Sequence, residues 1–316
     1  MEIYAEFDHA VGNIGYADNG QLIFSYHPFF SPKIRVVIYD ENTKSTKPFP
    51  NEDWNTVKTD DDNYLDSVLG VRNDSQGVVW MLDMGNRNDV TPKFVGWNTK
   101  TNSLERIYKI PAPASVPTSQ HNDFVIDGTH KVFVIADEGI ARGGDGSKGA
   151  LVIVDMETGK TRRVLESHYS TLPDYDSPLI FDGKPLSTGE GKDRKPIFIG
   201  ADGITLDNND EWLYYNPLSG NKIYRIRMDD LLDETLSEEA LGERVETYAN
   251  KYNNGGLSID RDANLYFTNV ESRSIGLVTA SDNNCPFLSS MTKCCGQMES
   301  ATTKMAICMY PLPKYI

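Results

Sequence analysis

The chain has 316 residues, 39% of them hydrophobic and 24% charged, which is the composition of an ordinary globular protein. No run approaches the roughly 18 unbroken apolar residues of a membrane helix, so a membrane-spanning role is not expected. The formal net charge of −15 repels phosphate backbones, which argues against nucleic acid as a partner and in favour of small cations or amines.

The first residues, Met1 to Glu6, carry neither a basic region nor an apolar core, so no signal peptide is read here. Glu2 to Phe7 reads as a closing strand that joins a sheet formed elsewhere in the chain. From Asn13 a grammar begins that recurs five times, about 55 residues apart with one longer gap. A small polar residue opens an alternating strand, a turn rich in Asn, Asp or Gly follows, and then come two or three further strands.

The five units open at Asn13 (GNIGYADNGQLIFSYHPF), Asp66 (DSVLGVRNDSQGVVWMLDMGN), Asn122 (NDFVIDGTHKVFVIADEG), Asp202 (DGITLDNNDEWLYYNPLSGNKIYRIR) and Gly255 (GGLSIDRDANLYFTNV). The turns Asp18-Asn19-Gly20, Asp74-Ser75-Gln76-Gly77 and Asp207-Asn208-Asn209-Asp210 supply residues that tolerate positive φ. Val, Ile, Phe, Tyr and Trp fill the strands, as half-buried pleated surfaces favour. The longer gap carries a Pro-, Gly- and Asp-rich excursion around Asp174 to Pro196. Ser237 caps a short predicted helix with Glu238 and Glu239 in its first turn and an apolar stripe of Leu236, Ala240, Leu241 and Val245. A glycine-rich stretch, Gly143 to Gly149, opens no helix and reads as a loop.

A single sheet of this kind cannot bury both faces. Stacking the sheets radially buries them and leaves only short edges, so the expected class is all-β with propeller architecture. The propeller is expected over residues 1–282. The grammar stops after Ser281, and all four cysteines (Cys285, Cys294, Cys295, Cys308) lie beyond it, so residues 283–316 read as an atypical tail. Neither a disulfide framework nor a zinc cluster can therefore tie the body of the fold.

The strings GVVWMLDMGN, PKFVGWN, ALVIVDMETGK, ADGITLDNNDEWLYYNPLSGNKIYRI and GGLSIDRDANLYF resemble the yellow / major royal jelly protein family, over roughly residues 1–281 and in order. The resemblance implies a six-bladed β-propeller, of which five blades are recognisable here. It also implies an extracellular or periplasmic setting. Three functions stay open under it. One is a propeller that binds a small polar or aromatic molecule in its central channel, with isomerase-like activity. Another is a metal-dependent lactonase of the gluconolactonase type. The third is a non-catalytic structural or nutritional protein. The ligand classes implied are amines, quinones and lactones.

In such a ring the residues that open each repeat should meet at one mouth of the channel. Asn13, Asp66, His121, Asn122, Asp123 and Asp202 are therefore the candidate ligand-binding rim, with short polar side chains able to hydrogen-bond a ligand. His121 is a candidate general acid or base. Gluconolactonase-type propellers hold a divalent metal through a Glu, an Asn and an Asp from different blades. Here the Glu is absent and Gly255 replaces the late Asp, leaving Asp202 as the candidate ligand for Ca²⁺ or another divalent cation. Asp83, Asp137 and Glu138 follow second strands and read either as turn caps or as the far side of the site. No G-x-S-x-G elbow, P-loop or H-E-x-x-H motif is present.

Overall fold

The computed structural model describes residues 4–181, 183–189, 192, 194–269, 271–272, 274–281, 287–290, 298–301 and 304–307. Five four-stranded antiparallel sheets follow one another along the chain. The first comprises β1 (Val11–Tyr16), β2 (Leu22–Tyr26), β3 (Val36–Asp40) and β4 (Ser45–Pro48). The second holds β5 (Val68–Asn73), β6 (Val78–Asp83), β7 (Lys93–Asn98) and β8 (Ser103–Lys109). The third holds β9 (His121–Asp127), β10 (Val132–Asp137), β11 (Ala150–Asp155) and β12 (Thr161–Val164).

Two small hairpins, β13–β14 (Ile180–Phe181 with Lys184–Pro185) and β15–β16 (Ser187–Thr188 with Lys195–Pro196), form the excursion before the fourth blade. That blade comprises β17 (Ala201–Leu206), β18 (Trp212–Pro217), β19 (Lys222–Arg227) and β20 (Glu246–Asn250). Helices α1 (Met228–Leu232) and α2 (Glu238–Gly242) are inserted between β19 and β20, and Ser237 Oγ accepts from Ala240 N at 3.2 Å, as its capping role requires. The fifth blade holds β21 (Leu257–Ile259), β22 (Leu265–Asn269), β23 (Ser274–Val278) and β24 (Phe287–Ser290). Its outermost strand thus lies beyond the point where the sequence pattern stops.

The first strand of each blade is innermost, and these strands neighbour one another around an axis in the order β1, β5, β9, β17, β21. A hairpin of β25 (Met298–Ala301) and β26 (Lys304–Ile307) follows, and β25 lies beside both β21 and β1. This two-stranded element stands in the sixth position of the ring; a sixth four-stranded blade is not found among the described residues. The cysteines fall outside those residues.

The expected closing strand at Glu2 to Phe7 is not formed where the chain is described. From Tyr4 to Ala10 the backbone pairs with no sheet, and its aromatics pack sideways on the first blade. Phe7 stacks within 4.6 Å of Phe24 and 5.2 Å of Tyr39, and Tyr4 meets Tyr39 at 6.3 Å. Contact of the half-buried Phe7 ring with Phe24 and Tyr39 outweighs the few ladder bonds that a short edge strand would gain.

Each of the four gaps between successive four-stranded blades is filled by its own apolar cluster. Ile23, Val36, Trp54, Val71 and Trp97 pack between the first and second blades. Trp80, Phe94, Phe124 and Phe133 do so between the second and third. Leu151, Ile153, Ile204 and Tyr215 fill the next gap, and Tyr214, Leu257 and Phe267 the one after. Phe133 is fully buried and in ring contact with Trp80, Phe94, Tyr108 and Phe124. Truncating such a side chain to alanine costs roughly 3–5 kcal/mol.

Two of the predicted turns, at Asp74 and Asp207, and a third at Asp260 close by one device. Asp74 Oδ1 accepts from Gln76 N and Val78 N, Asp207 Oδ1 from Asn209 N and Glu211 N, and Asp260 Oδ1 from Asp262 N and Asn264 N. These Asx turns fix the hairpins between the first two strands of three blades. Among the described residues no helix is long and apolar enough to cross a membrane.

Candidate functional site

The innermost strands share an irregularity at their leading ends. Register is interrupted between Val11 and Ile14 in β1, Val68 and Val71 in β5, and Ala201 and Gly203 in β17, and in β9 between the partners of His121 and Phe124. Such bulges re-aim the side chains they contain, and proteins use them beside binding sites. Here they turn Asn13, Asn122, Asp123 and Asp202 away from the regular pleat.

Aligning the blades on this irregularity corrects the sequence alignment of the openers. Asn122 and Asp202 share one position, with Gly12 and Leu69. Asn13 matches Asp123, one residue later, together with Gly70. Asp66 lies ahead of β5. Its carboxylate accepts from Arg87 N at 2.8 Å and Asn88 N at 3.2 Å, so it anchors the turn after β6. The second blade therefore contributes no polar side chain at the bulge. Gly70 is needed there by close approach, since a Cβ would meet Asn122 O and Phe124 Cδ1 at 2.9 Å.

Two layers of polar contacts cross between blades. In the first, Arg72 of β5 donates to Asp123 of β9 through Nε at 3.2 Å and Nη2 at 2.7 Å, and Nη2 also reaches Ile204 O of β17 at 3.3 Å. Asn13 of β1 joins it, with Nδ2 on Asp123 Oδ1 at 3.1 Å and Oδ1 accepting from Val71 N at 3.0 Å. Four blades are thus tied across the axis by one buried bidentate ion pair.

In the second layer Asp202, at the bulge of β17, faces Glu138, which follows β10. Their carboxyls share a hydrogen bond, and Gln120 Nε2 donates to Glu138 Oε2. Both residues are buried, and Asp202 Oδ1 has no hydrogen-bond partner. Burial, the Glu138 charge and the Asp123 charge hold Asp202 protonated well above the usual carboxylate range. Burial pushes Glu138 up to about 7. Two carboxyls this close cannot both ionise, so the pair carries a shared proton near neutrality.

Lys251, in the loop after β20, is the nearby cation. Its Nζ donates to Gly220 O at 2.7 Å and to Leu218 O and Tyr252 O at 3.3 Å, and burial brings it down to about 7. Asp202 and Glu271 are the carboxyls whose charges counter that shift.

Asp83 and Asp137 occupy equivalent places at the ends of β6 and β10. Asp83 accepts from Asp66 N and Ser67 N, each at 2.8 Å, and pairs with the buried Lys93 at 2.9 Å. Asp137 accepts from Gln120 N at 2.8 Å and pairs with Arg163 at 2.6 Å. Both hold the leading ends of innermost strands, the capping role open to them in the sequence. His121 is fully buried behind Asn122, with Nε2 on Ser115 Oγ at 3.0 Å.

Sequence reasoning passed over Arg72 and Lys251 and left Glu138 open between a turn cap and the far side of the site. Arg72 carries a signal, being a charged residue that directly follows the apolar string Val68-Leu69-Gly70-Val71 within an innermost strand. Lys251 has none, because its burial depends largely on the carbonyls of Leu218 and Gly220, 33 and 31 residues earlier in the chain.

A divalent cation would need six to eight oxygens, or three or more strong ligands. At the bulge position only Asn122 and Asp202 carry side-chain oxygens, short of that number. Among the described residues no three His, Cys, Asp or Glu side chains converge in a way that could hold a metal. The residues present do not fit a resident divalent cation.

The family model described as major royal jelly protein matches residues 66–288. No curated protein matches the sequence. Among solved structures, a gluconolactonase from Xanthomonas campestris is similar at 12% identity and TM-score 0.56, covering 95% of this chain and 83% of its own. A luciferin-regenerating enzyme is similar at 12% identity and TM-score 0.55, covering 92% and 80%. Virginiamycin B lyase from Staphylococcus aureus is similar at 14% identity and TM-score 0.52, covering 93% and 90%. At such identities these likenesses speak for the fold alone.

Proposed function

The chain belongs to the major royal jelly protein family, and from that premise we propose that it binds a small polar or aromatic molecule at the mouth of its channel and moves a proton on it, an isomerase-like activity. The observation that carries this reading is the buried Glu138–Asp202 pair with an unpartnered Asp202 Oδ1. A carboxylic acid kept neutral at pH 7 can donate to a ligand oxygen. A second carboxyl titrating near 7 can accept a proton from the same ligand, so the pair holds both acid and base at working pH. The net charge of −15 favours a ligand that carries an amine.

Calorimetry with tyramine, an aromatic amine, tests the binding half. The wild type should bind it, and Asp202→Asn should weaken binding at least about tenfold, the cost of one charge-assisted or buried hydrogen bond. Equal binding by wild type and variant would remove Asp202 from the site.

Lactone hydrolysis with a divalent cation is the other reading to weigh, because a gluconolactonase shares the fold. The oxygen set around Asp202 argues against it. A chelator is accordingly expected to leave melting temperature and tyramine binding unchanged; a loss restored by Ca²⁺ would reverse that conclusion.

A further inference from the structure

A second constellation lies beside the channel and takes no part in the carboxyl pair. Ser115 sits on the loop that leads from β8 into β9. The turn Val116–Ser119 closes on itself, with Ser119 N on Val116 O and Val116 N on Ser119 Oγ, both at 2.9 Å. This turn folds Ser115 back over the start of β9, where its Oγ lies 3.0 Å from His121 Nε2. Ser115 is half-buried, whereas His121 and Asp137 behind it are fully buried. On the far side of the ring His121 Nδ1 is buried without a hydrogen-bond partner and lies 3.8 Å from Asp137 Oδ2. Asp137 is itself fixed by Gln120 N, Gly139 N and Arg163 Nη1.

The order is that of an activated hydroxyl: a reachable Ser, a buried imidazole on its Oγ, and a held carboxylate facing the second ring nitrogen. The Nδ1–Oδ2 gap exceeds a hydrogen bond, and a shift of under about 1 Å closes it; such contacts are often long before substrate binds. We propose that Ser115 and His121, with Asp137 as positioning residue, form a nucleophilic acyl-transfer site for small carboxylic esters.

In the first step Ser115 Oγ attacks the ester carbonyl carbon and its proton passes to His121 Nε2. The C–O bond to the leaving alcohol then breaks, and that alcohol departs with the proton from Nε2. In the second step water attacks the acyl-serine, gives its proton to Nε2, and Ser115 Oγ leaves with the proton returned. The groups that face His121 are Asp137 from β10 and Arg163 from β12. Burial, aided by the Arg163 charge and opposed by Asp137, holds the imidazole below its ordinary value. It is therefore a weak base, and the site suits esters with good leaving groups, such as phenyl esters.

The experiment is labelling of the full chain with a fluorophosphonate probe, located by peptide mass, alongside hydrolysis of p-nitrophenyl acetate. Ser115 should carry the label. Ser115→Ala should lose it while melting like the wild type, and His121→Gln should slow it about 100-fold or more. The rate of labelling should follow one titration below the ordinary histidine value. In Asp137→Asn that midpoint should move lower still, because the charge that favours imidazolium is gone. A merely structural Asp137 would leave the midpoint in place. No label on Ser115 in the folded wild type, label elsewhere only, or a Ser115 rate indifferent to His121→Gln would overturn the proposal.

Discussion

Replacing Arg72 by Met tests whether the polar layer across the channel holds the ring together. Arg72 and Asp123 have side-chain exposures of 11% and 5%, so water screens their 2.7 Å contact little. Removing the guanidinium leaves Asp123 buried, with Asn13 Nδ2 and its neighbour Phe124 N as remaining donors to its Oδ1. Breaking one side of a buried pair costs about 3–5 kcal/mol, because the surviving charge has no compensation. For a chain of this size about 2 °C is lost per kcal/mol, so the melting temperature should fall by about 6–10 °C. Arg72→Lys should fall less, since a single ammonium keeps the charge but cannot span both carboxylate oxygens. The double variant Arg72→Met/Asp123→Leu should lose less than the sum of the single changes, as replacement of both partners removes the stranded charge. Differential scanning calorimetry on the five proteins, wild type, Arg72→Met, Arg72→Lys, Asp123→Leu and the double variant, reads this directly. A loss under about 1 kcal/mol for Arg72→Met, or strict additivity in the double variant, would refute the argument that a buried ion pair ties the blades.

Two further outcomes follow from the same packing. Glu138 is raised from 4.5 to about 7 in the folded chain, so the stability it gives is full below pH 4.5 and is lost as pH rises to about 7. Wild type minus Glu138→Gln, measured by denaturant unfolding at several pH values, should therefore decline between pH 5 and 7 and flatten above; a flat difference would mean that Glu138 is ionised throughout. Gly70→Ala should cost about 1–3 kcal/mol, because the new Cβ at 2.9 Å from Asn122 O presses on backbone that cannot rotate aside. An unchanged unfolding midpoint would show that β5 and β9 approach less closely than described.

The blades were legible because their pattern is local. Alternation of Val, Ile and aromatics between Asp- and Asn-rich turns sets strand and hairpin with few long-range terms, and Asp74, Asp207 and Asp260 each close a turn from within six residues. The capped helix after Ser237 was legible for the same reason. The site was only half legible. Asn13, Asn122, Asp123 and Asp202 lie at the bulges, but the bulge shifts register by a residue, so the openers could not be aligned from spacing alone. Asp66 carried the right residue type and serves the turn at 86–88. Glu138 and Lys251 take their altered protonation from burial by segments far away in sequence, a property no single residue displays. The hairpin β25–β26 has none of the repeat's composition, and only its place beside β1 and β21 reveals its position in the ring.

The proposed acid–base chemistry depends most directly on the shared proton of Glu138 and Asp202. Infrared difference spectroscopy of the folded protein, titrated from pH 5 to 9, reads protonated carboxyl groups by their C=O stretch. A protonated carboxyl signal that persists at pH 6, changes through about pH 7, and is altered in both Glu138→Gln and Asp202→Asn is the result predicted. If no protonated carboxyl remains at pH 6, or if the signal is untouched by both substitutions, the pair is ionised and the proposed acid–base chemistry at this site is contradicted.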